Sequence, residues 1–227
     1  MLKKALFAVL FLALVAGTLV AEKSTFDPRI CPVGPMKFSG AVWFGNRPGY
    51  DQDMHMSVRV WKGGVGASGG VMTLMGQRAT RDGYRHYCDI HSIAIRRGET
   101  ITVTFQPPWA GLGLYTATIA APQLLKITAP ANDAHITVGG AGNVDVRWVG
   151  GTPPYQLSIS KVRGVRVFRQ TGIAGTHVSV PLATFAAGVQ YYINVEDAKR
   201  RFSFDLAVDP ATDLTLSQSG ASWFYAD

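Results

Sequence analysis

The octapeptide 54–61, MHMSVRVW, decides the fold class. One face of this segment carries Met54, Met56, Val58 and Val60, and the other carries His55, Ser57, Arg59 and Trp61. Because residues two apart lie on the same face of a strand, this alternation predicts a half-buried β-strand. No long segment repeats its apolar residues every 3.6 positions, so the sequence excludes a mainly helical body.

The same pattern extends on both sides of the octapeptide. Between residues 36 and 121, short strands are predicted at MKFSGAVWF, VMTLMG, YRHYCDI, ETITVTF and LYTATIA, separated by glycine-rich or polar turns. In the second half, strands are predicted at NVDVRWV, YQLSIS, GVRVF, HVSVPL, VQYYINVED and RFSFDLAV. Strands at this spacing are typical of a β-sandwich. The Pro-containing junction 120–123 separates the two series, and we place a domain boundary there.

Residues 127–160, ITAPANDAHITVGGAGNVDVRWVGGTPPYQLSIS, resemble bacterial immunoglobulin-like or fibronectin-type-III-like domains. A Pro-terminated first strand, Trp148 on the second strand and a Pro-Tyr start to the third carry this resemblance. The first half is similar to another extracellular β-sandwich pattern, through SVRVWKGGVGASGGVMTL, IRRGETITVTF and YTATIAAP. The resemblance implies an all-β chain of two tandem immunoglobulin-like β-sandwich domains. Such families include spacers, adhesins, carbohydrate-binding appendages and fibre subunits, so the function stays open.

The N-terminal stretch MLKKALFAVLFLALVAGTLVAEKS predicts a secretory signal peptide over 1–21, and therefore a secreted, periplasmic or cell-envelope protein. Leu19 is unusual at the third position before the cleavage site, so an uncleaved leader that anchors the chain in the membrane is the alternative. The formal net charge of +7 falls to +5 without Lys3 and Lys4. The predicted segments are the signal peptide, a first sandwich over 22–122, a second over 123–209 and an acidic, aromatic tail over 210–227.

The chain has two cysteines, Cys31 and Cys88. In an exported protein, pairing them is the simplest expectation, and we predict a disulfide in the first domain.

Residues 63–70, GGVGASGG, contain a G-x-S-x-G match at Ser68. A nucleophilic serine in this motif requires a strand that turns sharply into a helix. Here VMTLMG predicts another strand, so we interpret the segment as a glycine-rich turn and predict no enzyme. A small secreted hydrolase or metal-binding protein centred on Ser68, or on His86 and His91, is the remaining catalytic alternative.

Three groups of residues invite a metal hypothesis. They are His86, Cys88 and His91; the methionine set Met54, Met56, Met72 and Met75 beside His55; and the loop carboxylates Asp51 and Asp53. In a strand, His91 lies on the face opposite His86, which argues against the first site. Alternation places Met54 and Met56 on the face opposite His55, which argues against a soft-metal site. Two carboxylates alone supply fewer oxygen ligands than calcium usually takes. We therefore predict no metal and no cofactor.

Binding residues are predicted at aromatic and basic positions. Trp61 and Trp109 are candidates for stacking on sugars, whereas the sequence does not assign Trp43 to core or surface. Lys161, Arg163, Arg166 and Arg169 crowd a predicted hairpin, where they either face an anionic polysaccharide or are solvated. No nucleic-acid motif accompanies these charges.

The segment from Asp205 to the end contains four aspartates and no Lys or Arg, and it includes the aromatic run Trp223, Phe224 and Tyr225. It either folds back on its own domain or adds a strand to the sheet edge of a neighbouring molecule. Together these patterns favour a non-catalytic interaction or assembly protein that binds a protein partner or itself, with a carbohydrate-binding accessory module as the alternative.

Overall fold

The structure, a computed structural model, describes residues 31–46, 52–162 and 164–227. The predicted signal peptide, 1–21, lies outside these residues. Apart from one 3-10 turn at Leu182–Thr184, the regular structure of the described residues consists of strands, which confirms the all-β prediction. No helix in the described ranges is long and apolar enough to cross a membrane. Residues Pro32–Asp227 form one compact unit.

Nine strands come before residue 122. In chain order they are β1 (Met36–Asn46), β2 (Asp53–Lys62), β3 (Val65–Gly66), β4 (Val71–Leu74), β5 (Gln77–Arg78), β6 (Thr80–Asp82), β7 (Arg85–Ile90), β8 (Thr100–Gln106) and β9 (Tyr115–Ala120).

Nine more strands follow. They are β10 (Lys126–Ala129), β11 (Ala134–Ile136), β12 (Asn143–Val149), β13 (Tyr155–Lys161), β14 (Arg166–Ile173), β15 (His177–Pro181), β16 (Val189–Glu196), β17 (Arg200–Phe202) and β18 (Asp213–Ala226).

These strands form one long sheet and two short ones. The long sheet has the order β14-β13-β16-β18-β1-β2-β7-β6, and β3, β11 and β17 pair at its sides. A four-stranded sheet, β5-β4-β8-β9, covers one face of the long sheet in the first half, and a three-stranded sheet, β10-β12-β15, covers it in the second half. The opposite face of the long sheet, called the outer face below, carries the partly exposed side chains.

The first sandwich packs around the inward side chains of β1 and β2. Phe38 contacts Phe105 of the four-stranded sheet edge-on, with ring centroids 5.6 Å apart. Met54, Met56, Val58 and Val60 are buried, as their alternation predicts. Burying each such side chain stabilises the fold by about 1.5–3 kcal/mol.

The second sandwich has its own apolar core. Trp148 of β12 lies edge-on to Tyr155 of β13, with ring centroids 5.4 Å apart. The stacked rings of Tyr191 and Phe224 close the core from the long sheet. The boundary predicted at residue 122 coincides with the change from strands of the first sandwich to strands of the second, and it stays a prediction.

Strand β18 contains most of the predicted acidic, aromatic C-terminal segment, for which the sequence left open folding back on its own domain or docking on a neighbour. Residues 213–220 pair in parallel with β1, and residues 219–226 pair antiparallel with β16. The segment therefore folds back within its own chain, and it completes the sheets of both sandwiches. Its apolar alternation was too short to show that one strand serves two halves.

A buried polar network lies where β18 passes from one sandwich to the other. The side-chain amide of Gln218 donates to the Gln123 carbonyl at 3.0 Å and to Asp197 Oδ2 at 2.9 Å, and its oxygen accepts from the Leu125 N–H at 3.0 Å. Asp197 Oδ1 accepts the Gln218 N–H at 2.8 Å. Burial of Asp197 raises the pKa of its carboxyl. The network thus fixes the segment between the halves to β18.

The predicted disulfide between Cys31 and Cys88 is not formed. Cys88 faces inward on β7 opposite Met56, and burial raises the pKa of its thiol. Cys31 is exposed, so the two thiols lie in different environments.

Candidate functional site

The most developed concave surface lies on the outer face, around Trp43 of β1. Phe38, Val42 and Phe44 of the same strand point into the core, so alternation directs Trp43 outward, where it is half-buried. The imidazole of His55 stacks on the indole, with ring centroids 5.4 Å apart and an interplanar angle of 22°. The stacked imidazole therefore supports the Trp43 indole on the outer face of the sheet.

Three adjoining clefts share Trp43 as a lining residue. The cavities have volumes of about 610, 240 and 280 Å³. We call this set the Trp43 groove. Small side chains of β1, β2 and β18 form its floor: Ser39, Ala41, Gly45, Ser57, Thr215, Ser217, Ser219 and Ala221.

The largest cleft lies over Ala41. Strand register places Ser57 on one side of Ala41 and Thr215 on the other, with Trp43 two residues further along β1. Adjacent strands lie about 4.8 Å apart, so the two hydroxyl-bearing residues are separated by roughly 10 Å. The methyl group of Ala41 leaves the space between them open, with a tryptophan ring as its end wall.

The cleft of about 280 Å³ is lined by His55, His91 and Asp53, which belong to two histidine–aspartate pairs. His55 Nδ1 lies 2.7 Å from Asp89 Oδ1, and His91 Nδ1 lies 3.3 Å from Asp53 Oδ1. Within the described residues, no three His, Cys, Asp or Glu side chains form a group that could hold a metal ion. Asp51 lies outside the described residues. The pairs can exchange hydrogen bonds with a polar ligand.

The β13–β14 hairpin, Tyr155–Ile173, is a second candidate surface. Strand β14 is an end strand of the long sheet, and in the described residues it pairs with β13 alone. The tip of the hairpin exposes Val165, whose exposed fraction is 75%. Lys161, Arg166 and Arg169 are exposed on it, as expected for the predicted basic hairpin, and Arg169 Nη2 donates to Gln156 Oε1 at 2.9 Å. Arg163 lies outside the described residues.

The two tryptophans predicted to bind sugar lie in different environments. Trp109 is buried with 5% exposure, so it cannot offer a ring face to a ligand, and that prediction is wrong. Trp61 is half-buried on the outer face, with the Lys37 ammonium 6.0 Å from its ring centroid. It lines a separate cleft of about 480 Å³ with Pro35 and Asp209. A ligand contact at Trp61 stays a prediction.

The side chains of the three C-terminal aromatic residues do not lie on one face of β18. Phe224 is fully buried in the second core, so its predicted role as a contact residue is wrong. Trp223 packs against Tyr192 on the outer face, with ring centroids 5.5 Å apart. Tyr225 is exposed and stacks on His135, with ring centroids 4.9 Å apart. Alternation along β18 explains why these neighbouring rings point in opposite directions.

The catalytic alternatives gain no support from the positions of their residues. Ser68 lies between β3 and β4, and the positive φ angles of Gly63, Gly69 and Gly70 fit the predicted glycine-rich turn. His86 is buried against Phe105, whereas His91 is exposed. Of the methionines, Met54, Met56 and Met72 are core residues and Met75 is exposed.

Comparisons with known proteins are limited to fold likeness. No family model matches the chain, and no curated protein matches it. The solved structures that it resembles include titin domains Z1Z2 in complex with telethonin, at 12% identity and a TM-score of 0.26, covering 86% of this chain and 94% of that chain. A chimeric titin Z1Z2-Z1Z2 tandem matches at 12% identity and a TM-score of 0.25, covering 85% and 100%. DIP-gamma IG1+IG2 matches at 10% identity and a TM-score of 0.24, covering 85% and 99%. At such scores these likenesses carry no argument about function, and the sandwich assignment rests on the strand pairing and packing described above.

Proposed function

We propose that this protein is a non-catalytic interaction protein of the cell envelope or extracellular space, and that it binds a protein partner at the β13–β14 hairpin. The observation that carries the proposal is the free edge of β14. At eight residues, it is the longest edge strand in the described part of the chain. An unpaired strand edge presents N–H and C=O groups that an extended segment of another chain can pair with.

The hairpin has two features that restrict its partners. The pairing of β13 with β14 shifts register twice, between Tyr155 and Leu157 and between Ile159 and Ser160. Such bulges and the exposed arginines of β14 discourage unspecific edge-to-edge association. The exposed Val165 at the tip supplies an apolar contact next to these charges. This combination favours a partner strand with acidic residues beside an apolar one.

Site-specific photo-crosslinking in the producing cells tests the proposal. A benzophenone side chain at Arg169 on β14 is expected to form an adduct with a protein partner or with a second copy. The same probe at Ser179 on β15, an exposed edge position of the three-stranded sheet, is the control and is expected to form none.

A substitution at the hairpin tip provides a second check. Val165→Asp is expected to abolish the adduct, whereas Val33→Asp, at a residue that is 95% exposed outside the hairpin, is expected to preserve it. Equal labelling from both probe positions, or no labelling from either, would contradict the proposal. Fractionation of the same cells tests the compartment, because an exported protein is expected in the periplasm or the medium.

A further inference from the structure

The cleft over Ala41 has a basic rim that the hairpin proposal does not use. Its members are Arg59, Arg85, Lys199 and Arg201. Lys199 and Arg201 line the cleft directly. Arg85 donates from Nε to the floor hydroxyl of Ser57 at 2.9 Å, and Arg59 is the cross-strand neighbour of Ser39.

The residues that line the cleft carry more positive than negative charge. Asp213 is the one carboxylate among the described residues that line this cleft, and its Oδ1 lies 3.6 Å from Arg201 Nε. The Arg201 side chain is 85% exposed, so this pair is screened by water and is weak. Among the lining residues, two cations, Lys199 and Arg201, stand against one carboxylate, and Arg59 and Arg85 lie on neighbouring positions, so this surface complements an anionic ligand.

We propose that the cleft over Ala41 binds an acidic polysaccharide. The indole of Trp43 supplies a flat apolar surface for one face of a pyranose ring. Ser39, Ser57 and Thr215 present hydroxyls at the floor and sides for the sugar hydroxyls. Lys199 and Arg201 hold the carboxylate or sulfate groups of the polymer. The cavity volume of about 610 Å³ is within the range of small-molecule sites.

Two other anionic polymers fit the same surface less well. Single-stranded nucleic acid is usually held by several aromatic rings on which successive bases stack, and this cleft offers Trp43 alone. An acidic peptide that binds by strand addition needs an open backbone edge. The floor strands β1, β2 and β18 are paired with one another instead. Hydroxyl-bearing side chains beside one ring therefore favour a sugar.

Calorimetric titration of the protein tests this proposal with five probes. They are oligogalacturonate, a heparin oligosaccharide, a neutral cello-oligosaccharide, oligothymidylate and a poly-glutamate peptide. At least one of the two acidic glycans is expected to bind, with an affinity that falls as ionic strength rises. Trp43→Ala and Ala41→Phe, which remove the ring and fill the cleft respectively, are each expected to weaken binding at least about tenfold. The double variant Lys199→Gln/Arg201→Gln is expected to do the same.

Matched variants control for folding and for general charge. Tyr84→Ala removes an exposed aromatic ring that does not line this cleft, and Arg96→Gln/Arg97→Gln removes two exposed cations from the loop between β7 and β8. Both are expected to bind like the unmodified chain. The proposal is overturned if neither acidic glycan binds, or if the neutral glycan binds as tightly as the acidic ones. It is also overturned if oligothymidylate or poly-glutamate binds and the acidic glycans do not, or if correctly folded Trp43→Ala retains full affinity. None of these outcomes depends on a partner at β14.

Discussion

His86 shows how a single buried side chain makes the stability of this fold depend on pH. Its imidazole is 1% exposed and lies edge-on to Phe105, with ring centroids 5.6 Å apart. Among the described residues, no hydrogen-bond partner reaches its Nε2. Desolvation, assisted by the charge of Arg81, lowers the pKa of His86 from 6.5 to about 4. The folded chain therefore holds this imidazole neutral.

We predict that His86→Phe makes the free energy of unfolding less dependent on pH. Since the unfolded chain binds the proton more readily, His86 contributes stability that is fully present above pH 6.5 and is lost as the pH falls toward 4. The full loss amounts to about 3 kcal/mol. Urea unfolding of the unmodified chain and of His86→Phe at several pH values measures how the free energy of unfolding depends on pH. The same change at the exposed His177 serves as the control, and an unchanged slope in His86→Phe would refute the assignment.

At this scale, the sequence predicts side-chain direction well and burial less well. Alternation in β1 places Trp43 opposite Phe38 and Phe44, and this signal could have found the outward ring that the sequence interpretation left unassigned to core or surface. Trp109 lies in the loop between β8 and β9, where no period-two pattern applies. Its burial depends on contacts between distant segments, so the sequence alone could not exclude it as a sugar platform.

Strand β18 is the element on which both sandwiches depend. We predict that Phe224→Ala lowers the free energy of unfolding by about 3–5 kcal/mol, because the truncation leaves a cavity next to Tyr191. Tyr225, the next residue, points outward, and Tyr225→Ala is expected to lower the free energy of unfolding by less than about 1 kcal/mol. Chemical unfolding compares the two variants. Similar losses for both would mean that this part of β18 is not packed as described.

Individual strands were predictable because each carries its own alternation, but the pairing of β18 was not. Its parallel partner β1 lies far away, at the start of the described chain, and β17 intervenes between β18 and its antiparallel partner β16. The mixture of small and apolar residues in β18 fits a buried strand and an aromatic tail equally well. Because β18 pairs with both β1 and β16, a deletion of 211–227 is expected to unfold the chain, whatever the chain binds.

The whole molecule joins two sandwiches through one long sheet, and both proposals depend on this arrangement. The Trp43 groove takes its floor from β1, β2 and β18, so it exists only if β18 lies beside β1. The free edge of β14 ends the same sheet, two strands beyond β16. Alternation and turn residues predicted two sets of strands, whereas a sheet common to both follows from long-range pairing that composition does not encode.

Hydrogen exchange of the full-length chain, followed by mass spectrometry, tests this central claim most directly. If β18 pairs with β1 and β16 as described, amides of residues 214–226 exchange as slowly as those of β16 in the second core. The loop 107–114, which lies between β8 and β9, serves as the fast-exchanging reference. Exchange of 214–226 at the rate of that loop would show a detached tail and would contradict both the shared sheet and the groove built on it.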